Sequence, residues 1–356
     1  PGAAHATLQI QGFLLCFVIG FLGTMLPKVL GVPPLGGVQF GAFTLLLAFL
    51  NVATLAGWQA TAQVMHLGVL ANLFGFMLLR WPQRSGNPPP FFLFIALGLL
   101  TDLAGTVLKL SVLAGSGFPG AARLAALLQY QAFPLMLVLG VGGFLLPKLL
   151  AQAPIDPRAP RTAGPGMPLM LTAALLFLAG FFIEALLPLH LESTRLGPAL
   201  RAAVWGWFLF GHVGLHRKGP RLPAYLAGAR WSLLAIGLGM LLQVLFPRHL
   251  LAWEHVVFVT GILWLTLSIA VRVVTAHGGT LAMADARRSS VTAYGWLLVL
   301  AAITRTAADL WTTSRSLHLA LAALLGASAL LLWIALFVRN VTRVPGEAPA
   351  RATQNA

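Results

Sequence analysis

Histidines stand at both ends of the apolar stretch EHVVFVTGILWLTLSIAVRVVTAHGG, residues 254–279. His255 follows Glu254 at the start of this stretch, and His277 lies near its end. Neutral imidazole is a common protein ligand for haem iron and for copper. Because Cys16 is the single cysteine, the chain has neither a disulfide framework nor a Cys-x-x-Cys-His haem attachment site. Histidines are therefore the first candidates to hold a metal in this chain.

The composition places these histidines in a membrane protein. Hydrophobic residues make up 58% of the 356 residues and charged residues 9%, with a mean hydropathy of +0.87. Apolar stretches of about 20 residues recur along the chain, and each is long enough to cross a hydrocarbon core as a helix. The sequence therefore predicts an all-α, polytopic transmembrane helix bundle in contact with membrane lipid.

The net charge of +15 does not indicate nucleic-acid binding, since the basic residues are scattered through short loops without a basic face of interleaved aromatics. Apolar runs between Pro, Gly and charged residues predict eleven spans. Their approximate bounds are 6–27, 35–57, 60–79, 90–114, 121–147, 168–189, 199–216, 224–246, 251–275, 291–312 and 317–338.

The polar stretch 151–166 is the predicted cytoplasmic linker between two halves of the bundle, 1–150 and 167–340. A disordered cytoplasmic tail is predicted at 341–356. Because the chain begins at Pro1 rather than Met, we expect a truncated N-terminus and a parent with twelve spans.

Sorted by depth, six of the nine histidines fall at or near the predicted outer ends of their spans: His5, His66, His190, His249, His255 and His318. This placement predicts that His255 reaches a metal shared with other helices at the outer rim. The competing interpretation is solvation at headgroup level, where amphipathic rings are stable. The inner pair His212 and His216 precedes Arg217 and is typical of a cytoplasmic anchor.

An unpaired charge inside a span costs roughly 2.5 kcal/mol or more, and five of the ionisable residues inside predicted spans are candidates for function. Asp102 and Lys109 are seven residues apart, and Arg305 and Asp309 have the four-residue spacing of an ion pair. Arg305 either forms that structural pair or contacts a cofactor propionate, while Glu184 either relays protons or bonds to a neighbouring helix.

Two stretches resemble the NnrS family, which comprises polytopic haem- and copper-containing membrane proteins linked to denitrification and to protection against nitric oxide. The first is HATLQIQGFLLCFVIGFLGTMLPKVLGVPPLGG, 5–37, and the second is the stretch that begins at Glu254. The matching residues are His5, Gly12, Phe13, Gly20, Phe21, Pro27, Pro33, Pro34, His255, Gly261, Arg272, His277 and Gly279. The chain departs from the family at Thr7 and Leu8, which replace a His and a Glu, and at Phe144, which replaces an Arg.

The resemblance implies haem or copper, nitric oxide as a gaseous ligand, and a multi-pass protein of the bacterial inner membrane. It implies His5 and His255 as metal ligands, with His66 and His277 as further ligands or as hydrogen-bond donors to the ligands. Twenty-two residues separate His255 from His277, about 33 Å along a helix, so an unbroken helix keeps them from sharing one metal.

Two alternatives stay open. One is a secondary transporter in which Asp102, Lys109, Glu184, Arg305 and Asp309 line a polar pathway, although no internal repeat is evident. The other is a metal-free member of the family. The sequence contains no complete catalytic constellation and predicts no particular enzymatic reaction.

Loop charges predict the orientation. Sixteen Lys and Arg residues fall on one side of the predicted bundle and five on the other. By the positive-inside rule the side with sixteen is cytoplasmic and holds the C-terminus. We expect a reporter enzyme fused after Ala356 to be active in the cytoplasm; activity in the periplasm would reverse the assignment of outer and inner histidines.

Overall fold

The computed structural model describes residues 2–151, 166–187, 193–217, 221–277 and 287–341, and these residues form helices without strands. Eleven helices follow one another along this described part of the chain. They are α1 (Ala4–Leu30), α2 (Gly37–Leu55), α3 (Gln59–Gln83), α4 (Phe92–Leu113), α5 (Ala121–Leu150), α6 (Met167–Leu186), α7 (Ser193–Gly206, continued by Trp207–Val213), α8 (Ala224–Leu245), α9 (Pro247–Ala276), α10 (Arg288–Leu310) and α11 (Thr312–Asn340).

The predicted all-α transmembrane bundle is confirmed, and each predicted span coincides with one helix. Among the described residues, ten helices are long and apolar enough to cross a membrane. The exception is α7, which was predicted as a span but carries Arg195, Pro198 and Arg201 in its first half. These residues lower its hydropathy, so its assignment as a span does not follow from length and composition.

The chain divides into two compact units. Unit 1 is Pro1–Leu145 with Pro154–Leu200, and unit 2 is Leu146–Ala153 with Arg201–Ala356. Unit 1 contains α1 to α4, most of α5 and all of α6, whereas unit 2 contains α8 to α11. Nearly all of the predicted linker, and the predicted tail after residue 341, lie outside the described residues.

Four segments inside these helices are π-helical, two in each unit. Unit 1 has Thr7–Leu14 in α1 and Leu128–Ala132 in α5, and unit 2 has Trp207–Val213 and Val256–Leu263. A π-helical turn contains one more residue than an α-helical turn, and such turns are frequent at functional sites. In unit 1 these segments hold Gln11 and Gln129, both fully buried.

Small residues allow α4 to approach α5 closely. A Cβ atom on Gly140 would lie 2.6 Å from Ile95 Cγ1, and one on Gly105 would lie 2.7 Å from Gln129 Cγ. Because both distances are below van der Waals contact, neither position accommodates a side chain without movement. The Gly105 backbone thereby leaves room for the Gln129 side chain between the two helices.

Candidate functional site

The centre of unit 1 contains a histidine and an aspartate that are both inaccessible to solvent. His66 on α3 and Asp102 on α4 each have 0% exposure, and His66 Nε2 lies 3.0 Å from Asp102 Oδ2. An ionised carboxylate only accepts hydrogen bonds, so with Asp102 ionised the proton is on Nε2. In the neutral ring the lone pair is then on Nδ1. A polar pair at this depth is costly unless it is matched, so it marks a candidate functional site.

A chain of amide side chains runs beside this pair and joins three helices. Gln129 Nε2 on α5 donates to Gln63 Oε1 on α3 at 2.7 Å, and Gln63 Nε2 donates to Gln11 Oε1 on α1 at 3.1 Å. Gln129 Nε2 also donates to Thr106 Oγ1 on α4 at 2.9 Å, and the Thr106 hydroxyl donates to the Asp102 carbonyl at 2.8 Å. We call Gln11, Gln63, His66, Asp102, Thr106 and Gln129 the unit 1 polar network.

Four atoms of the unit 1 polar network are buried without a hydrogen-bond partner. They are Gln11 Nε2, His66 Nδ1, Asp102 Oδ1 and Gln129 Oε1. Leaving a buried polar atom unpaired costs about 1–3 kcal/mol, so native proteins keep few of them, and a bound ion or water is a common explanation. Four such atoms in one network indicate a place where additional polar groups bind.

A small cavity lies at one end of the unit 1 polar network. Its volume is about 50 Å³, and its polar lining includes Lys109 together with Thr7, Tyr130 and the network residue Gln63. The Thr7 and Tyr130 hydroxyl oxygens lie 2.9 Å apart in a hydrogen bond between α1 and α5. Thr7 therefore has a structural partner in Tyr130 at the position where the family pattern has a histidine.

The predicted intramembrane charges of unit 1 have different surroundings in the structure. Glu184 on α6 accepts a hydrogen bond from Arg123 Nη2 on α5 at 3.3 Å, so it bonds to a neighbouring helix. Asp102 contacts His66, whereas Lys109, two turns further along α4, lines the cavity.

In unit 2 the predicted pairing of Arg305 with Asp309 is confirmed. Arg305 Nη1 lies 2.8 Å from Asp309 Oδ2, and Arg315 Nη2 lies 3.8 Å from the other carboxylate oxygen. The geometry of the shorter contact is that of an ion pair without an aligned hydrogen bond. The proposed contact of Arg305 with a cofactor propionate stays a prediction.

The remaining predicted ligands are distributed over both units. His5 is exposed near the start of α1, and His255 is half-buried in α9, immediately before the π-helical segment. His255 Nδ1 lies 2.7 Å from the Leu251 carbonyl oxygen. The side chain of His277 lies outside the described residues. Since His5 and His255 belong to different units, a metal shared between them stays a prediction.

His66 has the chemistry of a metal ligand. A ligating histidine commonly donates its second ring N–H to a carboxylate, which fixes the tautomer and the ring orientation. Asp102 occupies this position behind His66, and Nδ1 has no protein partner. The described residues contain no group of three or more His, Cys, Asp or Glu side chains around a common point. Among the described residues, the protein would therefore hold a metal at this place through one bond, from His66 Nδ1.

The cavity itself does not fit a haem. Cofactor-sized ligands need roughly 300–1,000 Å³, whereas this cavity has about 50 Å³ and is not lined by His66. His66 would supply one histidine bond to haem iron or to copper.

Most of the unit 1 polar network was not predicted from the sequence. The glutamines at positions 11, 63 and 129 are uncharged, whereas the predicted functional residues were histidines and charged residues. Amide side chains inside apolar spans were nevertheless a usable signal, because an amide in a bilayer also requires a partner. Arg123, the partner of Glu184, lies inside the predicted span 121–147 but was not among the predicted functional charges.

Comparison with known families gives one match. A family model described as NnrS protein matches residues 1–344 of the chain. Comparison with curated proteins and with solved structures found no match.

The Asp102–His66 pair generates a stability prediction. Asp102→Ala removes the partner of a fully buried imidazole, and we expect it to cost about 3 kcal/mol and to lower the thermal midpoint of the detergent-purified protein. Asp102→Asn retains a hydrogen-bonding side chain and serves as the control with a smaller loss. Wild-type midpoints for both variants would contradict the importance of this pair.

Proposed function

This chain belongs to the NnrS family, and from that membership we propose a haem- or copper-binding membrane protein of the nitric oxide response. The bound metal would supply the site at which nitric oxide binds. The protein would supply histidine ligands, an apolar surrounding and the groups that orient each imidazole.

One observation carries this proposal, namely the orientation of His66. Its Nε2 is held by Asp102 at 3.0 Å, while its Nδ1 is buried and has no partner. A merely structural histidine at this depth would be expected to satisfy both ring nitrogens. Asp102 would act through His66 as a positioning residue that keeps the lone pair on Nδ1.

His255 is proposed as a second ligand, in unit 2. A backbone carbonyl accepts but does not donate, so His255 Nδ1 donates its proton to the Leu251 oxygen at 2.7 Å. In the neutral ring the lone pair is then on Nε2, the nitrogen through which His255 would bind a metal. His5 and His277 remain proposed from the family resemblance alone, and so does Arg305 as a cofactor contact.

A secondary transporter is the second candidate, favoured by the unit 1 polar network at bilayer depth. Of the five charges predicted to line a pathway, Glu184 is paired with Arg123, and Arg305 is paired with Asp309. Asp102 and Lys109 remain as contributors to a polar route, which would be confined to unit 1. A metal-free family member is the third possibility.

Absorption spectra and metal analysis of the detergent-purified protein test these alternatives. We expect bound iron or copper in the wild-type protein, with a Soret band if the group is haem. His66→Ala and His255→Ala should each remove or markedly shift the absorption, because each deletes a bond to the metal. His249→Ala, in the first turn of α9, is the matched control and should leave the spectrum unchanged.

Asp102→Asn separates a ligand role from a structural one. Loss of a group that orients a ligating histidine typically lowers metal affinity by about 10–100-fold, and we expect that decrease in a metal titration of this variant. A wild-type protein without metal after expression in iron- and copper-supplemented medium would reject the metal proposal. Unchanged spectra in both His66→Ala and His255→Ala would reject these residues as ligands.

A further inference from the structure

Lys109 places a positive charge within a predicted membrane span. It lies in α4, is half-buried, and lines the cavity of about 50 Å³ in unit 1. The cost of a lysine within a span is smaller near the end of the span than at the bilayer centre, and a water-filled space or a counter-charge offsets it. The groups in and around the cavity therefore determine how the positive charge of the ammonium group is balanced.

The nearby carboxylates are already committed to other partners. Over the described part of unit 1 there are two, Asp102 and Glu184, and they contact His66 and Arg123 respectively. Asp102 is also seven residues from Lys109 on the same helix, a rise of about 10 Å. No carboxylate is among the residues that line the cavity. The charge of Lys109 consequently has no protein counter-charge in the described residues of this unit.

The other polar groups of the cavity suit an anion. The hydroxyl groups of Thr7 and Tyr130 lie at its wall, 2.9 Å from each other. The Gln63 amide nitrogen carries two hydrogens, of which one is donated to Gln11 at 3.1 Å. Hydroxyl and amide donors around an ammonium group form a charge-assisted set of hydrogen bonds to a negatively charged ligand.

The cavity lies at an end of unit 1. Its lining includes Ala4 near the start of α1, Thr54 near the end of α2, and Gln59 at the start of α3. Gly57, in the turn between α2 and α3, has a φ of +79° and also lines the cavity. Because these residues surround helix ends rather than helix centres, an ion reaches the cavity from the aqueous phase without crossing the unit.

We propose that this cavity binds one small monovalent inorganic anion, held by the Lys109 ammonium group with donors from Tyr130 and Gln63. The volume of about 50 Å³ admits an ion the size of chloride or nitrate, since one water molecule occupies about 30 Å³ of the liquid. The site requires neither a metal nor a role for His66, so it stands or fails independently of the proposed metal binding.

Thermal unfolding of the full chain in detergent tests the site. A ligand that binds the folded state raises the midpoint as its concentration exceeds the dissociation constant. At constant ionic strength, replacing sodium gluconate by sodium chloride or sodium nitrate should raise the wild-type midpoint, because gluconate is too large for the cavity. We expect Lys109→Gln to abolish this anion-specific rise.

Lys28→Gln is the matched control, since it removes the same charge from an exposed position near the opposite end of α1. It should show the wild-type rise. Tyr130→Phe removes one hydroxyl without removing the charge and should weaken the apparent anion affinity by about tenfold. This second variant tests the site even if Lys109→Gln does not fold.

Equal midpoints in chloride, nitrate and gluconate for the wild-type protein would overturn the proposal. The same conclusion follows if Lys109→Gln retains the full anion-specific rise, or if Tyr130→Phe and the wild-type protein show the same affinity.

Discussion

The hydrocarbon core contains no water, so each polar group that a span carries into it must find a partner within the protein. In unit 1 side chains that reach between helices meet part of this requirement, and four buried polar atoms of the network have no protein partner. Gln129 bonds to both Gln63 and Thr106, and therefore links α5 to α3 and α4 simultaneously. These hydrogen bonds fix the rotation of each helix about its own axis. If a helix were rotated by one residue position, its amide side chain would point about 100° away from its partner.

Backbone geometry makes the bonds possible. Glycine at position 105 lets α5 come close enough for the Gln129 side chain to lie between the helices. The π-helical turns around Gln11 and Gln129 widen two helices at the level of the polar network. A regular α-helical turn in α5, packed against a larger residue at position 105 of α4, could not hold the Gln129 amide in the same place. The polar residues and the irregular backbone of unit 1 are thus parts of a single arrangement.

The helices could be predicted because twenty consecutive apolar residues in a membrane have essentially one stable backbone, the α-helix. The Arg305–Asp309 pair could also be predicted, since both residues lie on one helix with a fixed spacing. Partners on different helices could not be predicted, because the choice depends on which faces meet. Asp102 contacts His66 rather than Lys109, and Glu184 contacts Arg123 from the helix before it. The π-helical segments have no distinct signal in residue types.

The polar network also has a consequence for how the protein is made. Thr7 and Tyr130 are 123 residues apart, and Gln63 and Gln129 are 66 apart. At a synthesis rate of about 5–20 residues per second, Thr7 waits roughly 6–25 s for Tyr130 to leave the ribosome. During this interval the hydrogen-bonded pair of Gln11 and Gln63 lacks the hydrogen bond from Gln129 of α5. The first four helices therefore enter the bilayer with incomplete bonds, and the insertion machinery or lipid headgroups must solvate them until the fifth helix arrives.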